Sequence, residues 1–179
     1  MDYVSLNGQI MPYEDAHIAP GDAGLLHGVG LFETMRTYKG KIFRLRDHVE
    51  RLNASASELG LPIKVTTEQI EELLPDLLSS NDLDSPGPNA TQPAVEARIR
   101  LTVTPGDPHL SSIVASSSDS SEALQPAITF LLTAAEFKPY PAELYAKGMS
   151  AIISTYKSNP LSPLAGHKTL SYFEKLLAL

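Results

Sequence analysis

No cysteine occurs among the 179 residues, which excludes a disulfide framework, thiolate-bound metal and a catalytic thiol together. Nor is there an excess of positive charge: 14 Lys and Arg against 21 Asp and Glu leave a net −7, so no overall field attracts nucleic acid or an anionic membrane surface. No apolar run approaches the ~18–20 residues that a membrane span requires. Residues 1–20 show neither a basic start nor a continuous apolar stretch, so nothing there resembles a secretory signal. Five scattered histidines leave little from which to build a metal site. The expectation is a cytoplasmic protein with no nucleic-acid or membrane partner.

What is present has the makeup of one folded domain, or one domain plus a fragment: 42% hydrophobic and 20% charged residues, over a length that a single core serves. Asp2 to Pro12 reads as two short strands about Asn7-Gly8, a dipeptide that accepts the positive φ angles of a type I′ hairpin turn. Gly21, Gly24, Gly28 and Gly30 crowd the next segment in no nucleotide-binding spacing, which suits turns or a close approach of backbone to another group. The strand pattern Leu31 to Tyr38 follows, turns at Lys39-Gly40 and is answered by Lys41 to Leu45. Next comes a helix with Asp47 as its cap and Glu50 three residues on. Val49, Leu52, Ala56 and Leu59 form its apolar stripe, His48, Arg51 and Ser55 share the neighbouring one, and Gly60 stops it.

A second helical pattern runs from Ile63 to Leu78 through Ile70, Leu73, Leu74 and Leu77, with a kink or break expected at Pro75. Residues 79–93 and 111–126 are Ser- and Pro-rich and read as surface loops. Between them, Val95 to Val103 alternates strictly, so a half-buried strand presents Arg98 and Arg100 on its polar side. Ala127 to Thr133 suits a central strand, Pro139 and Pro141 a linker, Met149 to Thr155 a further strand, and Lys157 to His167 a loop. Lys168 to Leu179 places Leu170, Phe173, Leu176 and Leu177 on one helical face.

Three groups in this plan can carry chemistry. Lys168 would stand at the mouth of the last helix, where the dipole opposes its charge, and partial burial would favour the neutral amine, a nucleophile toward aldehydes and a proton shuttle. Its simpler role is a solvated surface lysine. Arg51 can offer a forked donor set to a phosphate, or pair on the helix surface with Glu50 or Asp47. Arg98 and Arg100 can bind a substrate carboxylate from one sheet face, or cover that face with their aliphatic stems.

Gly30 to Gly40 (Gly-Leu-Phe-Glu-Thr-Met-Arg-Thr-Tyr-Lys-Gly), with Phe43 to Leu52 after it, resembles the N-terminal signature of the class IV (fold-type IV) pyridoxal-phosphate enzymes. These are the branched-chain aminotransferases, D-amino-acid aminotransferases and aminodeoxychorismate lyases. Asn159-Pro160-Leu161 and Gly166 to Tyr172 resemble the stretch around that family's Schiff-base lysine. The resemblance implies that Lys168 holds pyridoxal 5′-phosphate covalently and shuttles the substrate proton. It implies that Arg51 grips the cofactor phosphate, that Tyr172 approaches the cofactor, and that Phe32, His27 and Arg100 line the substrate pocket. His27 stands where the branched-chain enzymes have tyrosine. Pro105 precedes Gly106 where D-amino-acid enzymes carry a carboxylate-binding arginine, which argues against D-amino acids.

The implied fold is α+β: a two-layer N-terminal domain at 1–135 with helices on one face of an antiparallel sheet, an interdomain linker at 136–146, and at 147–179 the start of a barrel-like C-terminal cofactor-binding domain. The implied activity is amino-group transfer between an amino acid, branched-chain by preference, and a 2-oxo acid, by a homodimer. Release of pyruvate and 4-aminobenzoate from aminodeoxychorismate is the alternative within the same chemistry. A non-catalytic dimerisation module is the alternative outside it. Relatives continue well past the lysine and supply a glutamate for the pyridinium nitrogen, whereas this sequence ends eleven residues after Lys168. The expectation is therefore a truncated form of a longer enzyme, or one completed by a partner polypeptide.

Overall fold

Alternating apolar side chains dictate a sheet, and the computed structural model, which describes residues 1–84, 95–109, 128–157 and 159–178, contains a six-stranded antiparallel one. β1 (Tyr3–Leu6) and β2 (Gln9–Pro12) form the opening hairpin, with Asn7 at φ 52° and Gly8 at φ 85° as the turn requires. β3 is Leu31–Tyr38, β4 Lys41–Ile42, β5 Ala97–Thr104 and β6 Thr129–Glu136. Their order across the sheet is β2-β1-β6-β5-β3-β4, which places β6 centrally, as its apolar run predicts. Most of 79–93 and all of 111–126, the expected loops, lie outside the described residues.

Register decides which side chains meet the helices. Ile10, Ser5, Leu132, Leu101 and Glu33 stand opposite one another in a row, flanked by the inward rows of Val103 with Leu31 and of Ile99 with Met35. Against this face pack α2 (Leu45–Glu58), through Leu45, Val49, Leu52 and Ala56, and α3 (Thr67–Ser80), through Ile70, Leu74, Leu77 and Leu78. The result is the expected two-layer α+β arrangement. The second face of the sheet carries Phe32, Thr34 and Arg36 beside Thr102, Arg100 and Arg98.

Several local expectations are corrected. A short helix, α1 (Ala23–His27), interrupts the glycine-rich segment, and Gly28 closes it in the left-handed region at φ 65°. β4 ends at Ile42, because Arg44 turns left-handed (φ 55°) and α2 begins at Leu45; Asp47 is inside the first turn rather than at the cap. α3 starts at Thr67 behind a Thr66–Gln69 capping box and continues past Pro75 without a break, while Ile63 and Val65 are buried in the approach to it. Residues 149–155 form no strand, since no described strand lies alongside them and Ile152 and Ile153 are exposed. α4 (Ala142–Lys147) follows the two prolines. The terminal helix shrinks to α5 (Phe173–Leu176), so Lys168 is not at a helix mouth.

Asp22 ties α1 to the sheet. This buried carboxylate accepts from the backbone N–H groups of Gly24 (2.7 Å) and Leu25 (3.4 Å) through Oδ1, and from the hydroxyls of Thr104 (2.8 Å) and Thr129 (2.6 Å) through Oδ2. Asp22→Ala removes the cap and leaves two hydroxyls without their acceptor, at a cost of about 2–3 kcal/mol. Thermal unfolding should come roughly 5–10 °C earlier by circular dichroism; a shift within the error of the scan would refute the role.

Candidate active site

Lys168 is extended, not helical, because its backbone completes a sheet edge. Phe32 N donates to the Lys168 carbonyl at 2.9 Å, Leu170 N donates to the Gly30 carbonyl at 2.9 Å, and Leu31 bridges antiparallel to Thr169. A groove that narrow has no room for a side chain at position 30: a Cβ there would come within 2.7 Å of both Leu170 Cδ1 and the Val103 carbonyl. The two-residue alternation of an extended chain then sends His167 and Thr169 toward the helix layer and Lys168 to the second face.

On that face the lysine amine lies 4.7 Å from the centre of the Phe32 ring. The Arg100 guanidinium lies 4.0 Å from the same ring, and Tyr172 meets it edge-on at 5.6 Å and 79°. Phe32 is 6% exposed and Lys168 half-buried. Among the described residues no carboxylate stands within ion-pair distance of Arg100, whose polar contact is Nε donating to Thr102 Oγ1 at 3.3 Å. Burial draws this guanidinium below its ordinary pKa, and the charge of Arg98 pushes the same way. A desolvated cation without an anion is a receptor for one.

Arg51 belongs to the other face. Its partner is Glu33, not Glu50 or Asp47: Nε donates to Oε1 at 2.7 Å and Nη2 to Oε2 at 2.5 Å. His48 Nδ1 stands 2.9 Å from the same Oε2. Burial alone would raise the Glu33 carboxyl, but the hydrogen bonds and charges of Arg51 and His48 outweigh it and hold the carboxyl below the usual range. The fork uses Nε and Nη2 and leaves Nη1 outside these bonds on a half-exposed side chain.

The structure thus gathers Lys168, Phe32, Arg100 and Tyr172 around one ring, sets Arg51 on the opposite side of β3, and leaves His27 exposed in the last turn of α1. Among the described residues, His27 shares no hydrogen bond, ion pair or ring contact with the other five. Its helix nevertheless abuts them, since Ser171 Oγ donates to the Gly28 carbonyl at 3.4 Å. Glu33 is the participant that sequence reasoning misses. The signal for Glu33 is a charge on the inward side of an alternating strand, Leu31-x-Glu33-x-Met35, where only a paired carboxylate survives.

Residues 30–179 match the model of the family Amino-transferase class IV, and the chain belongs to that family. A D-alanine aminotransferase of Staphylococcus epidermidis is 38% identical over 49% of this chain and 31% of its own. The aminodeoxychorismate lyase of Bacillus subtilis is 36% identical over 58% and 32%. A proposed branched-chain-amino-acid aminotransferase of Methanocaldococcus jannaschii is 31% identical over 98% of this chain and 54% of its own. The branched-chain aminotransferase of the thermophilic archaeon Thermoproteus uzoniensis, solved with norvaline, superposes with a TM-score of 0.68 at 23% identity, over 98% of this chain and 54% of that one, a likeness of fold. The chain spans about half the length of these relatives, or less.

Proposed function

We propose that this chain supplies the amine, the carboxylate receptor and one phosphate contact of an enzyme that transfers the amino group of an amino acid, branched-chain or similarly apolar, to a 2-oxo acid. The observation that carries the reading is that the Lys168 amine and the Arg100 guanidinium, the latter without a carboxylate partner among the described residues, both contact the ring of Phe32. An amino acid presents an amine and a carboxylate on one carbon, and the two cations that contact Phe32 are a proton carrier and an anion receptor.

Lys168 offers pyridoxal 5′-phosphate a half-buried primary amine for its aldehyde, and the phosphate contact at Arg51, across β3 with Nε and Nη2 committed to Glu33, rests on the family resemblance. When bound, that group supplies an electron-withdrawing ring for charge developing at the substrate Cα. Lys168 Nζ takes the Cα proton and returns it. Arg100 holds a substrate carboxylate. Phe32 and the edge of Tyr172 keep water from the reacting carbon and leave an apolar surface for the side chain.

The same lysine serves elimination as well as transfer, and the likeness to a lyase keeps that second reading in view. Incubating the full-length protein, loaded with the cofactor, with leucine and 2-oxoglutarate should yield glutamate; release of 4-aminobenzoate from aminodeoxychorismate without any amino transfer would establish the lyase instead.

A further inference from the structure

The second face of the sheet is basic in an acidic chain. Against a net charge of −7, it carries Arg36, Arg98, Arg100 and Lys168. Arg36 is neutralised: its Nε donates to Glu96 Oε2 at 2.6 Å, and its guanidinium lies 4.0 Å from the centre of the Phe137 ring. Arg98 and Arg100 are not. They are alternate residues of β5, so both side chains leave the sheet on one side, from Cα atoms about 7 Å apart. Among the described residues neither has a carboxylate within ion-pair distance, and the charge of Arg98 acts on the Arg100 guanidinium. Two neighbouring like charges without a counter-charge repel each other, and a bound anion relieves that repulsion.

Arg98 also borders a cavity of about 670 Å³, together with Thr34, Arg36, Tyr38, Phe43 and Phe137. That volume suits a small organic molecule. Thr34 stands directly opposite Arg100 in the pairing of β3 with β5, so the cavity runs from Arg98 to the cross-strand neighbour of Arg100. We propose that Arg98 is a specificity-determining residue: while Arg100 holds one carboxylate of a substrate, Arg98 receives a second, so the site selects a dicarboxylic acid as one of its two substrates. This rests on the functional reading above, in which Arg100 holds a substrate carboxylate, and adds the second contact. A guanidinium matches a carboxylate with two parallel donors, and the Phe43 and Phe137 rings cover a carbon chain lying between the two ends.

The test takes the full-length protein loaded with pyridoxal 5′-phosphate and two unreactive acids of equal carbon count, glutarate with two carboxylates and pentanoate with one, and reads their binding by titration calorimetry. Glutarate should bind roughly tenfold more tightly, the worth of one charge-assisted contact. Arg98 is exposed, so its replacement should leave the sheet intact. Arg98→Ala should remove the preference for glutarate while moving pentanoate binding by less than about twofold. Arg98→Lys, which keeps the charge and loses the fork, should keep part of the preference. Turnover should show the same split: with leucine as donor, Arg98→Ala should lower kcat/KM roughly tenfold for 2-oxoglutarate relative to 2-oxopentanoate, through KM.

A glutarate preference that survives Arg98→Ala would put the second carboxylate elsewhere, and an equal loss of both acids would make Arg98 a structural residue only; either overturns the inference. So would the lack of any glutarate preference in the unsubstituted protein. Pentanoate binding that is absent altogether, or unchanged in Arg100→Ala, would mean that Arg100 receives no carboxylate, a separate failure that belongs to the reading beneath.

Discussion

Lys168→Arg is expected to abolish amino-group transfer and leave the fold standing. Arginine keeps a cation over the Phe32 ring, so the contact of about 0.5–1 kcal/mol that the lysine now makes there is largely preserved. What it cannot keep is the chemistry. A guanidinium holds its proton above about pH 12, so it neither adds to an aldehyde nor accepts a proton from a substrate carbon. Loss of a positioned base alone is worth about a hundred- to ten-thousandfold, so turnover should fall by at least roughly a thousandfold once covalent attachment is lost too. Borohydride should leave no pyridoxyl mass on the peptide containing position 168, and the melting curve should overlay that of the unsubstituted protein. Lys168→Ala, by contrast, removes both the chemistry and the cation. Retention of activity within tenfold in the arginine variant would sink the assignment of Lys168 as catalytic, since it would show that charge over the ring is all the site requires.

Much of the first layer is legible in the sequence because its determinants are local. β3 has the boundaries that its alternation predicts, and the Asn7-Gly8 turn has the positive φ angles that its dipeptide permits. The neighbouring stripe of His48, Arg51 and Ser55 proves to be the polar seam of α2, facing Glu33 and His167. The departures share one physical cause, long-range pairing. Leu170, Phe173, Leu176 and Leu177 satisfy a helical template, but the carbonyl of Lys168 and the N–H of Leu170 are consumed by β3 and the residue before it, far earlier in the chain, which no local pattern encodes. Residues 149–155 satisfy a strand template in composition, yet a strand exists only against a neighbour. The site shows the same division. Arg51 is legible as a functional candidate, but the carboxylates that a sequence offers it are those on its own helix, whereas its partner Glu33 stands eighteen residues away across the layer.

That partner yields the second large effect. Glu33 is the charged member of the inward row of β3, its side chain 2% exposed, and it is tolerated there because Arg51 and His48 satisfy both oxygens. Glu33→Gln keeps the shape and removes the charge, leaving an amide N–H₂ turned on donors. Breaking a buried pair costs about 3–5 kcal/mol, and the half-exposed Arg51 can recover some of this by turning to water, so about 2–4 kcal/mol is expected. That corresponds to unfolding roughly 5–12 °C earlier. The sign of the pH dependence follows from the depressed carboxyl. Its folded pKa lies below the unfolded value of about 4.3, so its contribution is complete above about pH 5 and drains away as the pH falls through the folded value. The gap in stability between the unsubstituted protein and the Glu33→Gln variant should therefore close progressively below about pH 4. A gap that stays open into strong acid would mean that packing, and not the ion pair, is what the glutamate contributes. Arg51 would then lose its anchor at no electrostatic cost.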